Sequence, residues 1–262
     1  MKTTGTLAGK IIIVTGASKG IGRAIALRLA QDGATIVAAA RHEAMLAQVV
    51  SEIEAAGGKA TSFPADLRIP ESPAALADAA LKAHGAIDAV VNNAGATRRG
   101  DFLELSDADW IDGFALKFFG AVRLTRAAWP HLKARSGAVL NIIGIGGRTP
   151  GAEFTIGGSV NAASLTFTKA MADVGIRDGV QVNAINPGYI RTDRLKALLA
   201  SQAAQLSGDI DAAIEQVVRK ANVVRLGEPE DIANLAAFVL SPRSRYLQGA
   251  LIDLDGGQTK TV

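Results

Sequence analysis

The chain has 262 residues, 48% hydrophobic and 20% charged, with no cysteine; it is long and apolar enough to bury a large core, which excludes a disordered chain and a small stapled scaffold. The missing cysteines exclude disulfides, thiolate nucleophiles and cysteine-based zinc sites, and three scattered histidines (His42, His84 and His131) offer no metal-ligand spacing. A net charge of +3 is too weak over this length to indicate nucleic acid or a membrane surface, no apolar run approaches the ~18 residues of a membrane span, and no signal-peptide pattern is visible, so a soluble cytoplasmic protein is expected.

Short apolar runs read as strands at Ile11–Thr15, Thr35–Ala40, Ala60–Phe63, Ile87–Asn92, Ala138–Ile143, Val180–Ile185 and Leu251–Leu254. Amphipathic stretches at 20–32, 42–56, 71–84, 107–134, 158–177, 193–219 and 229–240 read as the helices between them. Repeated βα units fold as a parallel sheet covered by helices on both faces. With no linker or repeat visible, the chain is expected to be one α/β domain over residues 1–262, a doubly wound seven-stranded parallel sheet in three α/β/α layers.

The first βα turn reads Thr15-Gly16-Ala17-Ser18-Lys19-Gly20-Ile21-Gly22. Glycines here let the backbone turn tightly and approach a pyrophosphate, which the following helix N-terminus stabilises. The second strand ends at Ala40-Arg41. An NAD site wants an acid at that point for the ribose 2′-hydroxyl. Arg41 and Lys19 instead suit a 2′-phosphate, so NADP(H) is favoured over NAD(H).

Further motifs follow in order: Asp66-Leu67, Asn92-Asn93-Ala94-Gly95, Asn186-Pro187-Gly188 with Ile190 and Thr192, Arg225-Leu226-Gly227-Glu228-Pro229, and Asp255-Gly256-Gly257. Together with the glycine loop these resemble the short-chain dehydrogenase/reductase family over nearly the whole chain. The resemblance implies a Rossmann-like fold, a nicotinamide cofactor and a homotetramer or homodimer. It implies adenine contact at Asp66 and Leu67, further cofactor contact at Asn93, Ala94 and Gly95, and nicotinamide contact at Pro187, Gly188, Ile190 and Thr192.

The family's catalytic Asn, Ser, Tyr and Lys do not carry over. Alignment on Ala162-Ala163-Ser164-Leu165-Thr166-Phe167-Thr168-Lys169 puts Asn161 at the lysine position and Gly157 at the tyrosine position. Asn141-Ile142-Ile143-Gly144 puts Gly144 at the serine, and Lys117-Phe118-Phe119-Gly120 puts Lys117 at the asparagine. A lost proton donor costs ~10²–10⁴-fold in rate, so ketone reduction by the family's usual route is expected to be slow. Lys and Asn stand exchanged. Either an ammonium is retained from another helix, with Asn161 still holding the ribose, or the exchange is drift.

Other groups bear on the same site. Tyr189, directly after Pro187-Gly188, stands beside the expected nicotinamide; loop packing is its alternative role. Tyr246 matches a structural aromatic of the family. Glu153 reads as a solvated loop carboxylate rather than a buried acid. Arg98, Arg99 and Arg148, with Lys117, would make the pocket mouth positive and suit an anionic small-molecule substrate. The expected function is an NADP(H)-dependent oxidoreductase with an atypical site (catalytic candidates Lys117, Asn161 and Tyr189) acting on a conjugated C=C, a C=N or an activated carbonyl. The alternative is a non-catalytic nucleotide-binding protein, a sensor or partner subunit.

Overall fold

A computed structural model describes residues 5–203 and 210–260. Its seven strands are β1 Ile11–Thr15, β2 Thr35–Ala40, β3 Lys59–Pro64, β4 Ala89–Asn92, β5 Ala138–Ile142, β6 Gln181–Pro187 and β7 Leu251–Leu254. They form one sheet in the order β3-β2-β1-β4-β5-β6-β7, every neighbouring pair parallel. The helices are α1 Gly20–Gln31, α2 Glu43–Ala55, α3 Ser72–His84, α4 Asp107–Gly113, α5 Gly120–Ala134, α6 Thr155–Asp178, α7 Asp193–Ala203, α8 Ile210–Ala221 and α9 Pro229–Leu240. Among the described residues no helix is long and apolar enough to cross a membrane.

Strand periodicity sorts the core into two layers, one on each sheet face. Ile12 and Val14 of β1 join Ile36, Ala38, Val91 and Leu140 against α1, α2 and α9. Ile13 joins Val37, Val90 and Val139 against α3 and α5. Because both faces are covered, β4, β5 and β6 are buried along their whole length and read as unbroken runs. The order of strand addition reverses between β1 and β4, and a ligand crevice opens outside the strand ends at such a switch point.

Three helix boundaries depart from the sequence expectation, and each shapes the crevice. The stretch expected as one helix over 107–134 is α4 and α5 joined by a π-helical segment, Phe114–Phe119. The wider turn sends Leu116 to the core, while the Phe118 ring meets Phe167 edge-to-face at 6.0 Å. Helix α6 begins at Thr155 rather than 158 because Ile156, fully buried, packs on Gly113, where a β-carbon would lie 2.7 Å from its Cγ2. The stretch expected over 193–219 is two helices, α7 and α8; residues 204–209 of it lie outside the described residues.

Candidate active site

The glycine loop is held by side chains from β1 and β4. Thr15 Oγ1 donates to Val91 O and accepts from the amides of Asn93 and Ala94 at 2.9 and 3.0 Å. Asn93 Nδ2 donates to Thr15 O at 2.9 Å, so this side chain ties the loop to β4. A β-carbon on Gly16 would lie 2.8 Å from Asn93 Nδ2, and one on Gly22 would lie 2.2 Å from Gly16 O. Only glycine fits either place, and Gly16 also takes φ +66°. No side chain caps α1 and no acid stands in its first turn, so its leading amides are open to an anion.

The remaining predicted contacts are distributed around that loop. Ser18 is half-buried and Lys19 exposed at the entry to α1; Ile21 packs on the core. Arg41 is exposed, and among the described residues it has no ion pair. Asp66 accepts from the Arg68 amide at 3.0 Å and pairs with its guanidinium, while Leu67 is core. Across the crevice a β-carbon on Gly20 would stand 3.4 Å from Thr192 Cγ2. Pro187 closes β6, a β-carbon on Gly188 would strike Asp255, and Ile190 is 7% exposed. This set fits a dinucleotide: an open helix terminus, a cradle only glycine can line, and, just past the end of β2, an arginine with no ion pair among the described residues.

At the carboxyl end of β5 the exchanged pair meets. Lys117 Nζ donates to Asn161 Oδ1 and to Ile143 O, each at 2.5 Å. Its stem runs over Gly95, where a β-carbon would lie 2.8 Å from Lys117 Cδ. Burial, with the Arg194 charge adding to it, lowers the Lys117 ammonium to about 7. Arg194 at the start of α7 donates from Nη2 to Gly95 O at 2.7 Å, bridging the two banks of the crevice. Asn161 is 2% exposed and its Nδ2 faces Gly144 O at 3.4 Å, so what it holds is the lysine. Behind it lies a buried chain: Asn92 Nδ2 donates to Thr125 Oγ1 and Asn141 Oδ1, and Asn141 Nδ2 to Thr168 Oγ1.

Gly144 and Gly157, the two glycines singled out in the sequence, are both enforced by their surroundings. Gly144 takes φ +125°, a conformation that side-chain-bearing residues rarely adopt, and a β-carbon there would stand 3.2 Å from Asn161 Nδ2. At Gly157 a β-carbon would lie 2.0 Å from Cζ and 2.1 Å from Cε2 of Phe154. The Phe154 ring therefore takes the volume of a side chain at 157. It also lies against Gly146, and the Arg99 guanidinium stacks over it at 4.7 Å.

Other predicted residues go elsewhere. Tyr189 packs against Leu195, Leu199 and Leu226. It lines a pocket with Arg225, Asp231 and Asp255 that shares no residue with the small cavity beside Lys117. Arg98 pairs with Asp109 at 3.0 Å and Arg148 with Asp253 at 2.9 Å, which leaves Arg99 as the one of the three without a carboxylate partner among the described residues. Glu153 is exposed in the short 3₁₀ turn Ala152–Phe154, and Tyr246 is fully exposed. Sequence reading missed Phe154 and Arg194. Phe154 is the sole aromatic between β5 and α6, and Arg194 stands two residues after Thr192, yet neither position carries a family motif.

Comparison with known proteins agrees with the fold. The short chain dehydrogenase family profile matches residues 10–203. An uncharacterised oxidoreductase of Mycobacterium tuberculosis is 38% identical over 95% of this chain and 92% of its own. A 3-oxoacyl-(acyl-carrier-protein) reductase of Vibrio harveyi is 34% identical over 96% and 98%. L-sorbose reductase of Gluconobacter frateurii, solved with NADPH and L-sorbose, superposes with a TM-score of 0.94 at 32% identity over 99% of both chains. With the glycine cradle, the switch-point crevice and these matches together, the chain belongs to the short-chain dehydrogenase family of oxidoreductases.

Proposed function

We propose that the protein is an NADP(H)-dependent reductase of a small substrate whose reducible bond is polarised: a conjugated C=C, a C=N or an activated carbonyl. The observation that carries this reading is the Lys117 amine at the end of β5, fixed by Asn161 and Ile143 beside a glycine-built dinucleotide cradle. The bound nicotinamide supplies hydride chemistry. Gly16, Gly20 and Gly22 with the α1 terminus would hold the diphosphate, Thr192 would stand at the carboxamide, and Arg41 with Lys19 would take the 2′-phosphate. The NADPH complex of the L-sorbose reductase supports the same cofactor choice.

The chain's own residues then do three things. Lys117 orients the substrate and draws electrons from the reducible bond through its positive charge. Asn161 positions Lys117 instead of reaching the ribose. Arg99, stacked on Phe154, offers a cation to an anionic substrate group. The exposed Ile111, Phe119 and Ile176 on α4, the π segment and α6 support self-association, as a homodimer or homotetramer.

The test is a fluorescence titration with NADPH and NADH, followed by NADPH oxidation assays with cyclohexenone, pyruvate and pyrroline, each beside a neutral or saturated control. Tight NADPH binding with turnover on one compound class is expected. Binding without turnover on any of them would favour the non-catalytic reading, which Phe154 in the place of a phenol also supports.

A further inference from the structure

We propose that Lys117 is the acid of the reaction, and that the proton the substrate gains leaves its Nζ. The proposal rests on the reductase reading above and names the proton source that reading leaves open.

Hydrogen-bond accounting carries it. An ammonium has three N–H donors and a neutral amine has two. Here two protons are committed, to Ile143 O and Asn161 Oδ1, and among the described residues the third has no acceptor. Losing that third proton therefore breaks no hydrogen bond. The amine stays in place in both protonation states, which a proton donor working through many cycles requires. Most buried lysines pair with a carboxylate, which would hold the ammonium charged. Among the described residues no acid touches Lys117, and Arg194 is the charged group that acts on it. Burial and that like charge bring its ammonium close to neutral pH, where donation and recapture are both facile.

Among the described residues no free rival donor stands in the same place: Ser164 lines the cavity, but its hydroxyl donates to Val160 O. Gly144 and Gly157 have no hydroxyl, Phe154 fills the space over Gly157 with a ring that has none, and the Tyr189 phenol packs in a separate cluster. Lys117 as a residue is not sealed in the core, and it lines the small cavity at the end of β5. Lys117 stands within the π segment, and its stem packs on Gly95.

The step balances simply. The substrate receives two electrons as hydride at one end of its double bond. At the other end it bonds the Lys117 proton; the N–H bond breaks, its electron pair stays on Nζ, and water entering the crevice later returns a proton to the amine. In the reverse, oxidative direction the neutral amine accepts the proton.

Two measurements test this. The first needs no substrate: in protein labelled with ¹³Cε,¹⁵Nζ-lysine, the Lys117 resonance is assigned by its loss in Lys117→Arg and followed against pH. A midpoint well below those of the other lysines is expected; a midpoint among them overturns the proposal. The second uses the chain's lack of cysteine. Lys117→Cys alkylated with bromoethylamine gives, at this position alone, a lysine analogue whose sulfur makes the amine less basic. With the panel compound turned over fastest, the alkaline limb of kcat/KM for reduction should move to lower pH with that amine. Lys117→Arg, which keeps charge but cannot give up its proton, should lose about 10²-fold or more in kcat with KM little changed. An unmoved limb, or an active Lys117→Arg, removes the proposal while leaving the reductase reading intact. No turnover on any compound removes both.

Discussion

Substituting Gly157 by alanine should destabilise the protein, and truncating Phe154 to alanine should abolish that penalty. The new β-carbon would stand 2.0, 2.1 and 2.5 Å from three ring atoms of Phe154. Carbon atoms in contact sit about 3.5–4.0 Å apart, so the ring must retreat by roughly 1.5 Å. Its retreat is hindered by Gly146, whose own β-carbon position is 2.9 Å from Cε1, and it disturbs the Arg99 stack. Overpacking of this kind costs about 1–3 kcal/mol, and partial exposure of the ring favours the lower half of that range. Against it, alanine gains about 0.5–1 kcal/mol over glycine within a helix. The single substitution should then cost up to about 1.5 kcal/mol. In the Phe154→Ala background the same change should be neutral or stabilising by about 0.5–1 kcal/mol, a coupling of roughly 1–2 kcal/mol across the cycle. Urea unfolding of the four proteins reads this directly. Additive effects would refute the idea that the Phe154 ring occupies the space of a side chain at 157. The same geometry predicts that Gly157→Tyr alone restores no phenol to the crevice.

Three further outcomes follow from the charged groups. Between pH 7 and pH 9 the folded Lys117 amine loses its proton while the unfolded one keeps it, so stability should rise with pH by about 2 kcal/mol; Lys117→Met should flatten that rise, and equal slopes in melts of the two proteins would count against a depressed lysine. Arg41→Ala should weaken NADPH by about tenfold or more, the worth of a charge-assisted hydrogen bond, and leave NADH nearly unchanged; a constant ratio in paired titrations would dismiss Arg41 as the phosphate contact. Burial works against the Asp88 carboxylate, but the Ile11 amide, Lys10 and Arg135 outweigh it and hold the group below its usual value. Its stabilisation is thus present above the ordinary carboxylate range and lost as pH falls through it, so the Tm gap between wild type and Asp88→Asn should close in acid.

The strands were legible because a parallel sheet covered on both faces needs contiguous β-branched runs, and β1 and β2 match their expected limits to the residue. The glycine loop was legible because steric demand at Gly16 and Gly22 admits no substitute. What failed to show were features set by three-dimensional neighbours. Gly157 and Gly158 make a poor helix start by propensity, yet Ile156 against Gly113 draws α6 back to Thr155. Arg98 and Arg148 read as a basic pocket mouth until Asp109 and Asp253, the latter over a hundred residues away in sequence, are seen to pair with them. Tyr189 stands beside a cofactor motif in sequence but turns to the α7–α8 cluster, because an aromatic ring gains more from apolar burial there. The Lys–Asn exchange was visible as an oddity of alignment; only the geometry makes it a contact.

The π segment has a further implication. A π turn amounts to one residue more than a regular helix needs. Deleting a residue between Phe114 and Phe119 would let 107–134 run as one α-helix, and everything on one side of the deletion would turn by about 100° against the other. Gly113 on Ile156 and Gly120 on Leu67 could then no longer both be satisfied with Lys117 at Asn161. The address of the amine is thus written in the count of residues between two glycines rather than in their identity. A scan of substitutions through this segment would pass over it, whereas a scan of single deletions would find it.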